Sequence, residues 1–159
     1  MLIEPDKRHE KYALKLTYAE DEHDRFYIPE NIFVIGTMNT ADRSLAIVDY
    51  ALRRRFAFIT LMPNFGRAFQ SFLSIRKVSE NLLSHILKAI DRVNHEIQKD
   101  MNLGAGFQIG HSYFCSYPGS IDERVWYNDV IIFEIKPLLQ EIWFDDPGKV
   151  DILLKELLY

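Results

Sequence analysis

The 159-residue chain holds a single cysteine, Cys115, so no internal disulfide framework can staple it, and this usage fits a reducing, cytoplasmic setting. No apolar stretch approaches the roughly 18 residues of a membrane span. Glu4, Asp6, Lys7 and Arg8 exclude the basic-then-apolar pattern of a signal peptide. Positive charge is not in excess. With 19 Lys and Arg against 23 Asp and Glu, the net charge is −4, which argues against gripping nucleic acid through an overall field and leaves only a local basic patch. His9, His23, His85 and His95 lack metal-ligand spacing, and His95-Glu96 is without the second histidine of a zincin, so no metal site is expected. Ser112 has no nucleophile-elbow pattern around it. The 11 Phe and 8 Tyr read as core residues, because no basic groove accompanies them as a base-stacking platform requires.

What is present describes one domain's worth of ordinary globular protein, 48% hydrophobic and 26% charged, without repeats or low-complexity linkers. Tyr12 to Tyr18 alternates with period two, Glu20 to Arg25 is a charged turn, and Phe26-Tyr27-Ile28 returns, which predicts a surface hairpin. Ile32-Phe33-Val34-Ile35 and Phe56 to Leu61 are short apolar runs with the character of buried parallel strands. From Ser79 the apolar residues Leu82, Leu83, Ile86, Leu87, Ile90, Val93 and Ile97 fall at helical spacing, with Ser79 as cap and Gly104 just past the end. Ser112 to Cys115 reads as a short strand. Ile121 to Phe144 reads as helix, kinked or split by Pro137, and Asp146-Pro147 opens a last helix over Val150 to Leu158. The order is α/β first, then mostly helical.

Between the two apolar runs stands GTMNTADRSLAIVDYALRRRF, Gly36 to Phe56. Its polar cluster, Thr37, Asn39, Thr40, Asp42, Arg43 and Ser44, follows the expected strand, and ligands of open α/β sheets bind beyond the carboxyl ends of strands. A neutral amide there can orient a water without adding charge beside phosphates. A helix from Leu45 to Leu52 is expected to end in Arg53, Arg54 and Arg55, guanidiniums suited to a phosphate supplied from outside the chain. The stretch points to nucleotide chemistry. Yet no G-x-x-x-x-G-K-[ST] occurs. Gly148-Lys149 is followed by Val150 and has Trp143 where the first glycine belongs, and no apolar run ends in Asp-Glu. Both the phosphate cradle and the acidic metal-holding element are missing from this sequence.

MNTADRS at Met38–Ser44, its spacing to DYALRRRF at Asp49–Phe56, and GFQIGHSYF at Gly106–Phe114 resemble the McrB family. These are AAA+ GTPase subunits of bacterial modified-cytosine restriction systems. The opening LIEPDKR, Leu2 to Arg8, is similar to the segment after that family's Walker B strand and helix. The resemblance implies a C-terminal part of a P-loop AAA+ module. Residues 1–66 would hold the hairpin, the sensor 1 strand, the arginine-finger helix and the last strand, and residues 67–159 a mostly helical lid. The two parallel strands would flank a slot that the strand before the P-loop fills in the family. The resemblance further implies GTP, or ATP, with Mg²⁺ in the complete module, and poor nucleotide binding by the chain in isolation. Its implied partners are an upstream half of the module or full-length McrB-like subunits in a ring, a hexamer, and a McrC-like endonuclease subunit. DNA would be engaged only through domains absent here, and no membrane. A noncatalytic assembly module, a truncated gene product and a fragment of another AAA+ ATPase are the alternative readings.

Residue by residue, Asn39 matches the sensor 1 position that holds the attacking water near the γ-phosphate, with Thr37 beside it; otherwise it ends a strand by capping a turn. Asp42 either holds Asn39 or Arg43 in place or caps the following helix. Arg54 and Arg55 match the arginine-finger position, with the choice between them open and Arg53 structural. The alternative is a solvated helix end favoured by the dipole. His111 would contact nucleotide or a neighbouring subunit, or pack in its loop. Arg124 is a weak candidate for a sensor 2 arginine.

Overall fold

The computed structural model describes residues 2–18, 21, 24–39 and 50–159. The chain divides into two compact units, Met1–Thr60 and Leu61–Tyr159. Every buried apolar side chain among the described residues lies between Phe69 and Leu157, within the second unit.

In the first unit the hairpin forms, shorter than the alternating pattern suggests. Strands β1 (Leu14–Lys15) and β2 (Arg25–Phe26) pair antiparallel, Leu14 opposite Phe26. The two expected parallel strands do not form. Residues 32–35 and 56–61 carry no strand pairing, and Phe33 and Ile35 are 85% and 91% exposed. A strand must place its N–H and C=O groups on a neighbouring ladder, and the described residues supply none for these two segments. Of the helix expected from Leu45 to Leu52, residues 45–49 lie outside the described residues. The described residues that follow form α1 (Tyr50–Arg53). The Arg8 guanidinium ties the chain together, donating to the carbonyls of Ile32 (2.8 Å) and Ile3 (3.3 Å).

The second unit is a helical assembly around one core. Helix α2 (Arg67–Ile75), for which the sequence pattern gives no expectation, buries Phe69 and Leu73. Helix α3 (Glu80–Lys99) follows its apolar stripe closely, burying Leu82, Leu83, Ile86, Ile90, Val93 and Ile97. Ser79 caps it by accepting from the Leu82 N–H, and Glu123 in turn accepts from the Ser79 N–H at 2.7 Å and hydroxyl at 2.5 Å. One carboxylate thus serves the N-terminal end of α3 while sitting in the first turn of α4 (Glu123–Val130), where the helix dipole also favours it. Gly104, beyond the Asp100 C-cap of α3, takes φ 102° ahead of the 3-10 turn Ala105–Phe107, a conformation that L side chains rarely adopt.

Residues 111–114 form a 3-10 turn instead of the expected strand, with Phe114 fully buried and Tyr113 and Cys115 only partly so. With no alternation of buried and exposed residues and no adjacent strand, the segment satisfies its backbone locally, as in Cys115 N–H to Ser112 O at 3.1 Å.

Helix α4 runs on through a π-helical stretch, Ile131–Ile135, into α5 (Lys136–Ile142). Pro137 explains the widening. It has no N–H to donate, and its ring would press on the carbonyl four residues back, so the ladder opens and Lys136 donates to Ile131, five residues back. Opening also corrects the register. Tyr127, Ile131, Ile135, Leu139 and Trp143 are buried at a constant spacing of four, which a straight 3.6-residue helix would rotate away from the core. Helix α6 (Pro147–Leu157) begins as the sequence implies, with Asp146 accepting from the Lys149 N–H and Pro147 in the first turn. Among the described residues no helix is long and apolar enough to cross a membrane.

Candidate functional site

The residues singled out by sequence fall in both units and are described within each. In the first unit Thr37 and Asn39 are exposed and follow residues 32–35. Asp42, together with Thr40, Arg43 and Ser44, lies outside the described residues.

The three arginines diverge at the end of α1. Arg53 stands over the Phe58 ring, 6.0 Å from its centroid. Arg54 is exposed and makes no ion pair among the described residues. Arg55 is held on three nitrogens. Its Nε and Nη2 donate to Glu4 Oε1 at 2.8 and 2.7 Å, and its Nη1 donates to the Ala51 carbonyl at 2.9 Å. That last bond satisfies one of the carbonyls a helix end leaves orphaned. Glu4, Asp6, Tyr50, Arg54 and Arg55 line a concavity of about 520 Å³. Lys7 hydrogen-bonds Asp6 at 3.1 Å, which lowers the Asp6 carboxyl below the usual carboxylate range and raises the Lys7 ammonium. The site is therefore a guanidinium cluster with one member neutralised and one open to solvent.

In the second unit His111 is a packed residue. Its Nδ1 accepts from the Asn64 N–H at 3.2 Å, so the ring proton of this neutral tautomer resides on Nε2. Its ring meets Phe65 and Phe69 edge-on, each with centroids 6.1 Å apart. Asn64 Oδ1 also accepts from Gly66 N–H, so the same turn opens α2. The loop before His111 is fixed by Asn94, the buried polar residue of the core. Its Nδ2 donates to the Ile109 carbonyl at 3.0 Å and its Oδ1 accepts from the Ile109 N–H at 2.6 Å, reproducing a two-bond strand pairing with one side chain. A groove of about 450 Å³ runs alongside, lined by Phe65, Leu87, Lys88, Asp91 and Gln108. Arg124 lies over the Tyr159 ring, 5.1 Å from its centroid, a packing contact at the C-terminal segment.

Sequence reading missed Glu4 and Asn94. Nothing local to Glu4 announces a partner 51 residues away. Asn94 did leave a signal, a polar residue on the buried face of an otherwise apolar stripe, which needs satisfied hydrogen bonds to be tolerated there. Among the described residues no three His, Cys, Asp or Glu side chains converge as a metal site.

Residues 85–151, from within α3 into α6, match the family described as McrB, alpha-helical lid domain. The chain is 48% identical over 153 residues to the type IV methyl-directed restriction enzyme EcoKMcrB subunit of Escherichia coli (strain K12). That alignment takes in 94% of this chain and 33% of the relative, so the chain spans about a third of the relative's length. The chain is thus similar to the C-terminal part of a McrB restriction subunit, with the match to the family's α-helical lid domain over residues 85–151.

Proposed function

We propose that this chain is the C-terminal share of a McrB-like AAA+ GTPase that powers DNA translocation and cleavage in methylation-dependent restriction. Its own contribution to hydrolysis is an amide and a guanidinium. Asn39 orients the attacking water within its own subunit. Arg54 or Arg55 neutralises charge on the γ-phosphate of a neighbour's nucleotide, a role worth about 10³–10⁵ in rate in phosphoryl-transfer systems. Thr37 and His111 contribute to the nucleotide's surroundings, His111 through the loop that Asn94 fixes, and Asp42 supports Asn39 or Arg43. Mg²⁺ bound with the nucleotide would be held by carboxylates of a P-loop half, since the described residues converge no acidic cluster of their own. Partners are McrB-like subunits in a ring and a McrC-like endonuclease subunit.

The observation that carries this reading is the arginine cluster at the end of α1, with Arg54 exposed, in a chain 48% identical to a McrB subunit. An unpaired guanidinium at a helix end is what transfer of charge across a subunit boundary requires. The test uses a P-loop-bearing McrB-type subunit whose equivalents of Arg53, Arg54 and Arg55 are alanines. Adding the present chain is expected to raise its GTP hydrolysis by orders of magnitude; no stimulation in a verified complex contradicts the proposal. A second reading, a noncatalytic assembly module, is favoured by one feature. Val125, Ile132 and Phe133 form an apolar strip on the outside of the lid, 55%, 42% and 72% exposed. Association without stimulation in the same experiment is the result that reading expects.

A further inference from the structure

We infer that Glu4 is the positioning residue of the arginine cluster, holding Arg55 against α1 so that Arg54 is the guanidinium presented to a neighbouring subunit's phosphate. The inference rests on the reading of this cluster as an interface element. It assigns the two arginines, which sequence leaves equivalent, to different work.

The geometry separates them. The Arg55 fork is committed on Nε, Nη1 and Nη2, its side chain is 24% exposed, and Glu4 beside it is 30% exposed. A guanidinium with three of its nitrogens bonded and its charge matched by a carboxylate would have to break that set before meeting a phosphate. Arg54, one residue away, is exposed and lines the same concavity. Both residues lie in the turn that follows α1, where Arg55 is held by Glu4 and the Ala51 carbonyl while Arg54 stays exposed. Arg53 is accounted for by Phe58. Glu4 also sets distance. It lies in the turn that leads into Pro5–Lys7, and the pair with Arg55 joins that turn to the end of α1, where the Arg55 Nη1 bond to Ala51 continues the same network. Loss of the carboxylate leaves both guanidiniums mobile and mutually repelling at the helix end.

The test is a charge exchange in a complete McrB-type subunit that carries this sequence, assayed as an assembled ring with Mg-GTP. Glu4→Gln is expected to lower kcat about 10- to 100-fold with KM unchanged, the effect of misplacing a group that acts only in the transition state. Arg55→Glu is expected to do the same or worse. The double exchange Glu4→Arg with Arg55→Glu restores the pair with reversed polarity and is expected to recover turnover to within about threefold, because Arg55 only positions. Arg54→Ala is expected to abolish turnover in both backgrounds. A double exchange that folds with an unchanged thermal midpoint but stays inactive overturns the inference, since Arg55 then supplies its charge to the reaction. An unaltered kcat in Glu4→Gln overturns it also. Full turnover in Arg54→Ala also overturns the inference, whereas full turnover in the double variant Arg54→Ala with Arg55→Ala rejects the underlying interface reading, and so separates the two failures.

Discussion

Replacing Asn94 by alanine removes both bonds that hold Ile109, and the residue left behind is fully buried. The Ile109 N–H and C=O then stand unpaired, each costing about 1–3 kcal/mol when water cannot reach it. Asn94 itself is 8% exposed, so some water enters, and the net loss is expected in the lower half of that sum, about 2–4 kcal/mol. In a unit of roughly 100 residues this lowers the thermal midpoint by about 10–25 °C. Urea denaturation followed through Trp126 and Trp143, both buried in this unit, measures it directly. Asn128 provides the control. It makes the same pair of amide bonds to Tyr159, at 3.1 and 3.0 Å, but at the surface, where water replaces them, so Asn128→Ala is expected to cost no more than about 1 kcal/mol. Equal losses in the two variants, or a loss below about 1 kcal/mol for Asn94→Ala, would refute the view that burial of the clamp sets its worth.

Tyr127 is buried and donates to the Leu157 carbonyl at 2.7 Å, and burial raises its phenol above the ordinary value of 10.0. The folded state therefore keeps a proton that the unfolded chain loses, so stability is full below pH 10.0 and falls as pH rises beyond it; Tyr127→Phe is expected to flatten that alkaline fall in urea midpoints. Glu123→Ala removes the carboxylate from the Ser79 cap and is expected to cost about 1–2 kcal/mol, read as a lowered melting temperature, with Glu123→Gln intermediate. In an assembled ring Asn39→Ala is expected to depress GTP hydrolysis while leaving nucleotide affinity and assembly unchanged, because water orientation matters in the transition state; parallel loss of affinity would show a binding role instead.

The lid was legible because its signals are local. The α3 stripe, the Ser79 and Asp146 caps and the Pro137 interruption each act within a few residues, and each reappears in the structure. What sequence did not anticipate is that Pro137 widens the helix without breaking it, since the four-residue spacing of the buried side chains rewards a π segment. The strand expectations failed for the opposite reason. Apolar runs such as Ile32-Phe33-Val34-Ile35 specify an affinity for a sheet but not the sheet itself, and pairing depends on segments remote in sequence. The candidate site divides the same way. The arginine run announced itself, whereas the separation of Arg54 from Arg55 depends on Glu4, which comes to the helix end from 51 residues upstream.

The central claim is that a guanidinium of this chain acts across a subunit boundary. The measurement that tests it most directly mixes two complete McrB-type subunits, each inactive alone: one with this sequence carrying Arg54→Ala and Arg55→Ala, the other with a disabled P-loop and intact arginines. If the arginines act in trans, mixed rings contain sites where an intact P-loop meets an intact arginine, and GTP hydrolysis returns on mixing. No recovered hydrolysis from rings verified to contain both subunits contradicts the claim.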